Sequence, residues 1–103
     1  MPANRDKREL ARDMEQRVLT GPGLAPPELR AQAFANRDLP QALASLLDKV
    51  AKRSFQVTDD DFAAALATGF TEDQLFELVI CAAVGESGRL YQAGLSALAE
   101  VTG

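Results

Sequence analysis

The sequence predicts an all-α fold, and three observations carry that expectation. Apolar residues recur at three- and four-residue steps, as in Leu43, Leu46, Leu47 and Val50. Two capping-box signatures, Thr58 with Asp61 and Thr71 with Gln74, stand directly before such runs. No segment carries a strand signal.

The elements follow in order. Asn4 or Asp6 is placed to cap a first helix carrying Leu10, Met14 and Val18, which Gly21 ends. Its apolar residues lie at successive four-residue steps, a narrow face suited to an edge or to another subunit. The stretch GPGLAPP, residues 21–27, is a loop by its glycines and prolines. Pro27 suits the first turn of a short second helix, PELRAQAFAN, where its missing N–H would be unpaired anyway. Asp38 is expected to cap a third helix from about Pro40 to Ser54. Thr58 and Asp61 open a fourth, which Gly69 ends in left-handed geometry.

Thr71 and Gln74 open the longest helix, from Glu72 past Leu98. Its first half is apolar almost all round: Leu75, Phe76, Leu78, Val79, Ile80, Ala82, Ala83 and Val84. Such a helix belongs in the middle of a bundle or at a subunit contact. Gly85 and Gly88 mark a bend or a close helix crossing.

A chain of 103 residues makes one domain. A domain of this size buries only about 60–65% of its unfolded surface, so part of its apolar surface is expected to need a partner subunit. With 47% hydrophobic and 25% charged residues the composition is that of a soluble globular protein. The net charge of −4 opposes nonspecific nucleic-acid binding, which depends on cations neutralising phosphates. The basic stretches RDKRELAR and DKVAKR interleave acids and read as solvated helix faces.

A single cysteine allows no internal disulfide, and without histidine no zinc or transition-metal site and no cofactor is expected. The three aspartates at 59–61 lack the spread of acids and the bend glycine of a calcium loop. The polar start MPANRDKREL has no signal-peptide core, and no run is long enough to span a bilayer, so the expected location is the cytoplasm.

The stretch LLDKVAKRSFQVTDDDFAAALATGFTEDQLFELVICAAVGESGRL, with an Ala-rich helix, a glycine and then GFTEDQLFELV, resembles the carboxymuconolactone decarboxylase-like, or AhpD-like, superfamily. The resemblance spans about Leu46 to Leu98. It implies a helical bundle of about five helices, with residues 1–37 as an N-terminal helical extension, and an oligomer. Redox members carry Cys-x-x-Cys-x-x-x-His, the histidine about eight residues before the glycine. Counting back from Gly69 places Asp61, Val57 and Ser54 at those three positions. Disulfide-cycling peroxidase chemistry needs two thiols and a base, so it is absent within one chain. The decarboxylase branch transfers no base either, because the simpler task of Asp61 is capping.

Candidate functional residues are therefore Glu77, Cys81 and Arg89. Glu77 and Cys81, four apart, share a helix face about 6 Å from each other. They form either a reaction centre or part of a buried helix. A neighbouring carboxylate and apolar walls both disfavour a thiolate, which favours Cys81 as a packing residue. A buried carboxylate needs a cation, hydrogen bonds or a proton, and Lys49 and Arg53 on the preceding long helix are the expected partners of Glu77. Glu86 and Arg89 are spaced to pair on the helix surface, while Arg89 alternatively binds a ligand carboxylate.

The sequence thus leads to an oligomer formed through the C-terminal helices, in a non-redox small-molecule-binding or assembly role. A peroxidase or decarboxylase-like enzyme using Cys81, Glu77 or Arg89 is the alternative.

Overall fold

The computed structural model describes residues 7–102, and among these the chain is all-helical. The elements are α1 (Lys7–Thr20), α2 (Pro27–Ala35), α3 (Gln41–Lys52), α4 (Asp59–Leu66) and α5 (Glu72–Thr102), with a 3-10 turn at Ser54–Gln56 between α3 and α4. The expected caps Asn4 and Asp6 lie outside the described residues.

Helix α5 is the axis of the bundle. Of the other helices α2 packs on it most extensively, followed by α3 and α1, while α4 is held mainly by α3. The residues assigned from sequence to an N-terminal extension therefore supply the largest single contact with the long helix. The core joins Leu43, Leu46 and Leu47 of α3 to Leu75, Leu78, Cys81 and Ala82 of α5, with Ala33, Ala65 and Ala25 closing its edges. The leucine spacing that predicts α3 is the spacing that fills this core.

Local signals explain most boundaries. The N–H of Gly21 closes α1 onto the Arg17 carbonyl at 2.9 Å. Pro27 occupies the first turn of α2. Thr71 and Gln74 form a reciprocal capping box: the Thr71 N–H donates to Gln74 Oε1 at 3.0 Å and the Gln74 N–H to Thr71 Oγ1 at 3.1 Å. At α4, the Asp61 carboxylate accepts the N–H of Thr58 at 2.9 Å. Gly69, with φ of 109°, turns the chain between α4 and α5 where a side chain would be strained.

Asp38 departs from its expected role. Pro40 holds the N-cap position of α3 with no side-chain cap, and Asp38 is exposed with φ of 60°. The Asn36–Asp38 turn places a left-handed residue two positions before Pro40, and Asp tolerates that geometry where most side chains do not.

Helix α5 runs unbroken through Gly85 and Gly88. Both glycines mark close approaches instead. A Cβ at Gly85 would overlap the Phe34 carbonyl of α2, and one at Gly88 would stand 2.8 Å from Glu15 Oε1 of α1.

The apolar first half of α5 is enclosed on one side only, with Phe76 66% and Ile80 37% exposed. Farther along, every residue from Arg89 to Thr102 except Leu95 is exposed, although Arg89 still reaches the Phe34 carbonyl of α2 and Tyr91 and Gln92 border α1. The radius of gyration is 15.5 Å, against about 13 Å for a compact chain of this length.

Candidate functional site

Glu77, Cys81 and Arg89 fall on one line of α5, four and eight residues apart, with Gly85 between the last two. Residues at four-residue steps share one helix face. Here that face meets α1, α2 and the loop joining them.

Glu77 receives backbone N–H groups. Leu24 N–H donates to both carboxylate oxygens, at 2.7 and 2.9 Å, and Ala25 N–H donates to Oε2 at 2.8 Å. The local sequence explains the demand. Pro22, Pro26 and Pro27 keep the loop from forming its own helix, leaving the Leu24 and Ala25 donors without backbone acceptors. Gly23 is required beside them, since a Cβ there would overlap Glu77 Oε1. Gln74, one turn earlier on α5, donates Nε2 to the Leu24 carbonyl at 3.3 Å.

The expected partners of Glu77 lie elsewhere. Lys49 Nζ pairs with Asp61 at 2.9 Å, and Arg53 Nη2 pairs with Asp48 at 3.1 Å. Lys49 on α3 and Arg53 at its C-cap both turn to other acids, while Glu77 faces the 21–27 loop. The Lys49 ammonium, with the Thr58 N–H, holds the Asp61 carboxyl below its ordinary range.

Cys81 is buried, and its Sγ lies 3.4 Å from the Val18 carbonyl as a hydrogen-bond donor. Burial pushes the thiol pKa up, Arg30 opposes this, Glu77 reinforces it, and the outcome is a raised pKa. A thiol in that state is a poor nucleophile.

Arg89 closes the C-terminus of α2. Its Nη1 donates to the Phe34 carbonyl at 2.8 Å, an acceptor left over where the helix ends at Asn36 in left-handed geometry. Its Nε and Nη2 both reach Glu86 Oε1, at 3.3 and 3.0 Å. The Glu86–Arg89 pairing is the one expected from spacing; the engagement with Phe34 is not visible in sequence.

Arg30 escaped the sequence reading. It is 6% exposed, and its Nη1 donates to the Gly21 carbonyl at 2.7 Å. Its Nε has no hydrogen-bond partner among the described residues. The available signal was its position three and four residues before Ala33 and Phe34, on the inward face of α2. Glu77 and Arg30 together hold the loop, the first accepting the Leu24 and Ala25 N–H groups and the second donating to the Gly21 carbonyl.

The structure thus gathers Glu77, Cys81 and Arg30 under the 21–27 loop and leaves Arg89 three turns away from Glu77, about 18 Å along the helix. Each polar group is engaged with backbone. Beside this face a groove of ≈ 490 Å³ opens between α1 and α5, lined in part by Arg12, Met14, Val84, Ser87 and Tyr91.

The fold and this face define an all-α bundle whose N-terminal third is fastened to a long, partly unpartnered helix. Comparison with family models, curated proteins and solved structures finds no match to the chain. No helix among the described residues is long and apolar enough to cross a membrane.

Proposed function

We propose that this chain is an AhpD-like, carboxymuconolactone decarboxylase-like cytoplasmic protein that acts without thiol redox cycling, as a homo-oligomer assembled through α5. The observation that carries the assembly role is the exposed, apolar end of α5. Leu90, Leu98 and Val101 stand exposed on a segment of fourteen residues, and an isolated helix of that length is marginal in water. A second protein surface supplies what the chain itself does not.

The enzymatic alternative is less well supported by the geometry. Glu77 is occupied by the loop, Arg89 by Phe34 and Glu86, and Cys81 is buried with a raised pKa. A small-molecule role falls to the α1–α5 groove, where Arg12 and Tyr91 border an apolar wall of Met14 and Val84.

Sedimentation equilibrium tests the assembly reading. The expected result is a mass of at least two chains at micromolar concentration, reduced to one chain by Leu90→Glu. A single-chain mass for the native protein at high micromolar concentration would overturn it.

A further inference from the structure

Helix α5 contains three interior glycines, and glycine weakens a helix interior relative to alanine. Two are accounted for within the chain: Gly85 admits the Phe34 carbonyl and Gly88 admits Glu15. Around Gly94 no atom of the described residues outside its own turn of helix stands within 4 Å of a Cβ position. Its smallness serves no close approach among the described residues.

Gly94 belongs to a regular series. Phe76, Ile80, Ala83, Ser87, Leu90, Gly94, Ala97 and Val101 follow one another at alternating steps of four and three, and all eight are exposed. This is the 3.5-residue repeat of a coiled-coil seam. Between Gln74 and Gly88 the four members of the series are the only exposed residues, so the seam coincides with the open side of the bundle.

We propose that the seam is covered by α5 of a second copy of this chain, running antiparallel about a two-fold axis between Gly88 and Arg89. This inference rests on the assembly reading above and specifies its partner and geometry. In that register Phe76 meets Val101 of the partner subunit, Ile80 meets the partner's Ala97, Ala83 meets the partner's Gly94, and Ser87 meets the partner's Leu90. All eight positions are used over about 37 Å.

Three features favour this arrangement. In this pairing the exposed C-terminal half of each α5 lies along the open side of the other copy's bundle, so both uncovered stretches are covered at once. The Gly94 position faces alanine, which lets the two backbones approach closely. The α1–α5 groove shares Ser87 with the seam and opens beside the axis, which makes the apolar surface continuous with Met14 and Tyr91. A parallel pair would instead set Phe76 against Phe76 and Gly94 against Gly94, one crowded layer and one empty one. It would also bring Glu72 and Asp73 of both copies together.

The test uses the full chain carrying Ala83→Cys and Gly94→Cys, both at exposed positions. Within one straight helix these sites are about 16 Å apart and are not bridged internally. Mild oxidation followed by digestion and mass spectrometry is expected to give an intermolecular 83–94 disulfide. Disulfides joining 83 to 83 and 94 to 94 would overturn the antiparallel pairing while leaving an α5 oligomer. An oligomeric mass with no cross-link at either site would place the interface away from α5. A single-chain mass for the unmodified protein would remove the assembly reading as well. As a second measurement, Gly94→Leu is expected to raise the dissociation constant at least tenfold without lowering the melting temperature of the dilute chain. Unchanged association would overturn the register.

Discussion

The carboxylate of Glu77 on α5 accepts the backbone N–H of Leu24 through both oxygens, at 2.7 and 2.9 Å, across 53 residues of sequence. With Ala25 as a second donor, a side chain closes the ladder that the proline-rich loop cannot build for itself. Hydrogen bonds to a charged acceptor contribute about 1.5–3 kcal/mol each when buried. Glu77 is half-buried, so the lower end applies to two donors. Glu77→Ala is expected to lower stability by about 2–4 kcal/mol in urea unfolding. Glu77→Gln, which keeps an oxygen acceptor but loses the charge, should fall between the two. A neutral effect of Glu77→Ala would mean that the loop is held by other contacts.

Cys81 lies one turn beyond Glu77 and donates to the Val18 carbonyl of α1. Alkylation of the native thiol should be at least about 100-fold slower than in the denatured chain, because reaction waits for opening of a buried site. Glu77→Ala should shorten that protection. Reaction faster than in the unfolded chain would show that the fold activates the thiol.

The raised Cys81 pKa has a consequence for stability at alkaline pH. The folded state retains the proton over a range in which the unfolded thiol, ordinarily near 8.5, has lost it. Its contribution is therefore complete below that value and is lost as pH rises toward the higher folded pKa. Wild type should lose stability more steeply than Cys81→Ala between pH 8 and 10. Parallel curves would mean that the thiol titrates alike in both states.

The sequence made the helices legible because each signal was local. The Thr71–Gln74 box and the α3 leucine spacing each specify structure within a dozen residues. Pairing across the fold was less legible. Lys49 and Arg53 suit Glu77 by charge alone, yet Asp61 of α4 takes the first and Asp48 of α3 the second. Nothing in the charge pattern revealed that Glu77 would meet backbone donors. Proline removes backbone options without naming the side chain that replaces them. Arg30 was missed for the same reason, since its acceptor is the Gly21 carbonyl, a group every residue type carries. The apolar surround of α5 was legible as a demand for burial, but it did not show which side the chain itself would fill.

Asp61 gives an acid counterpart to the Cys81 prediction. Lys49, first, and the Thr58 N–H hold its carboxyl below the ordinary value. Its contribution is present above the unfolded pKa, near 3.9, and is lost as pH falls through the lower folded value. Asp61→Asn should flatten the acid limb of the stability curve between about pH 5 and 2. The pair is part-buried, with the Lys49 side chain 27% and the Asp61 side chain 12% exposed, so the difference should shrink in part in molar salt. A salt-insensitive difference would assign the effect to the Thr58 cap rather than to the Lys49 ion pair.

The sharpest separation of roles lies between two glycines nine residues apart on α5. In an isolated helix, glycine to alanine is favourable by about 1 kcal/mol at either position. At Gly85 the new methyl would overlap the Phe34 carbonyl, which Arg89 also engages, so α2 must move away from α5. Gly85→Ala is expected to destabilise the chain by about 2–3 kcal/mol, because overpacking outweighs the gain in propensity. At Gly94 the space is open among the described residues, so Gly94→Ala should stabilise the chain by about 1 kcal/mol under dilute conditions where the protein is monomeric. Thermal unfolding of the two variants side by side checks both signs. A stabilised Gly85→Ala would mean that α2 and α5 do not approach as described, and with it the role of Arg89 as the cap of α2 would fail.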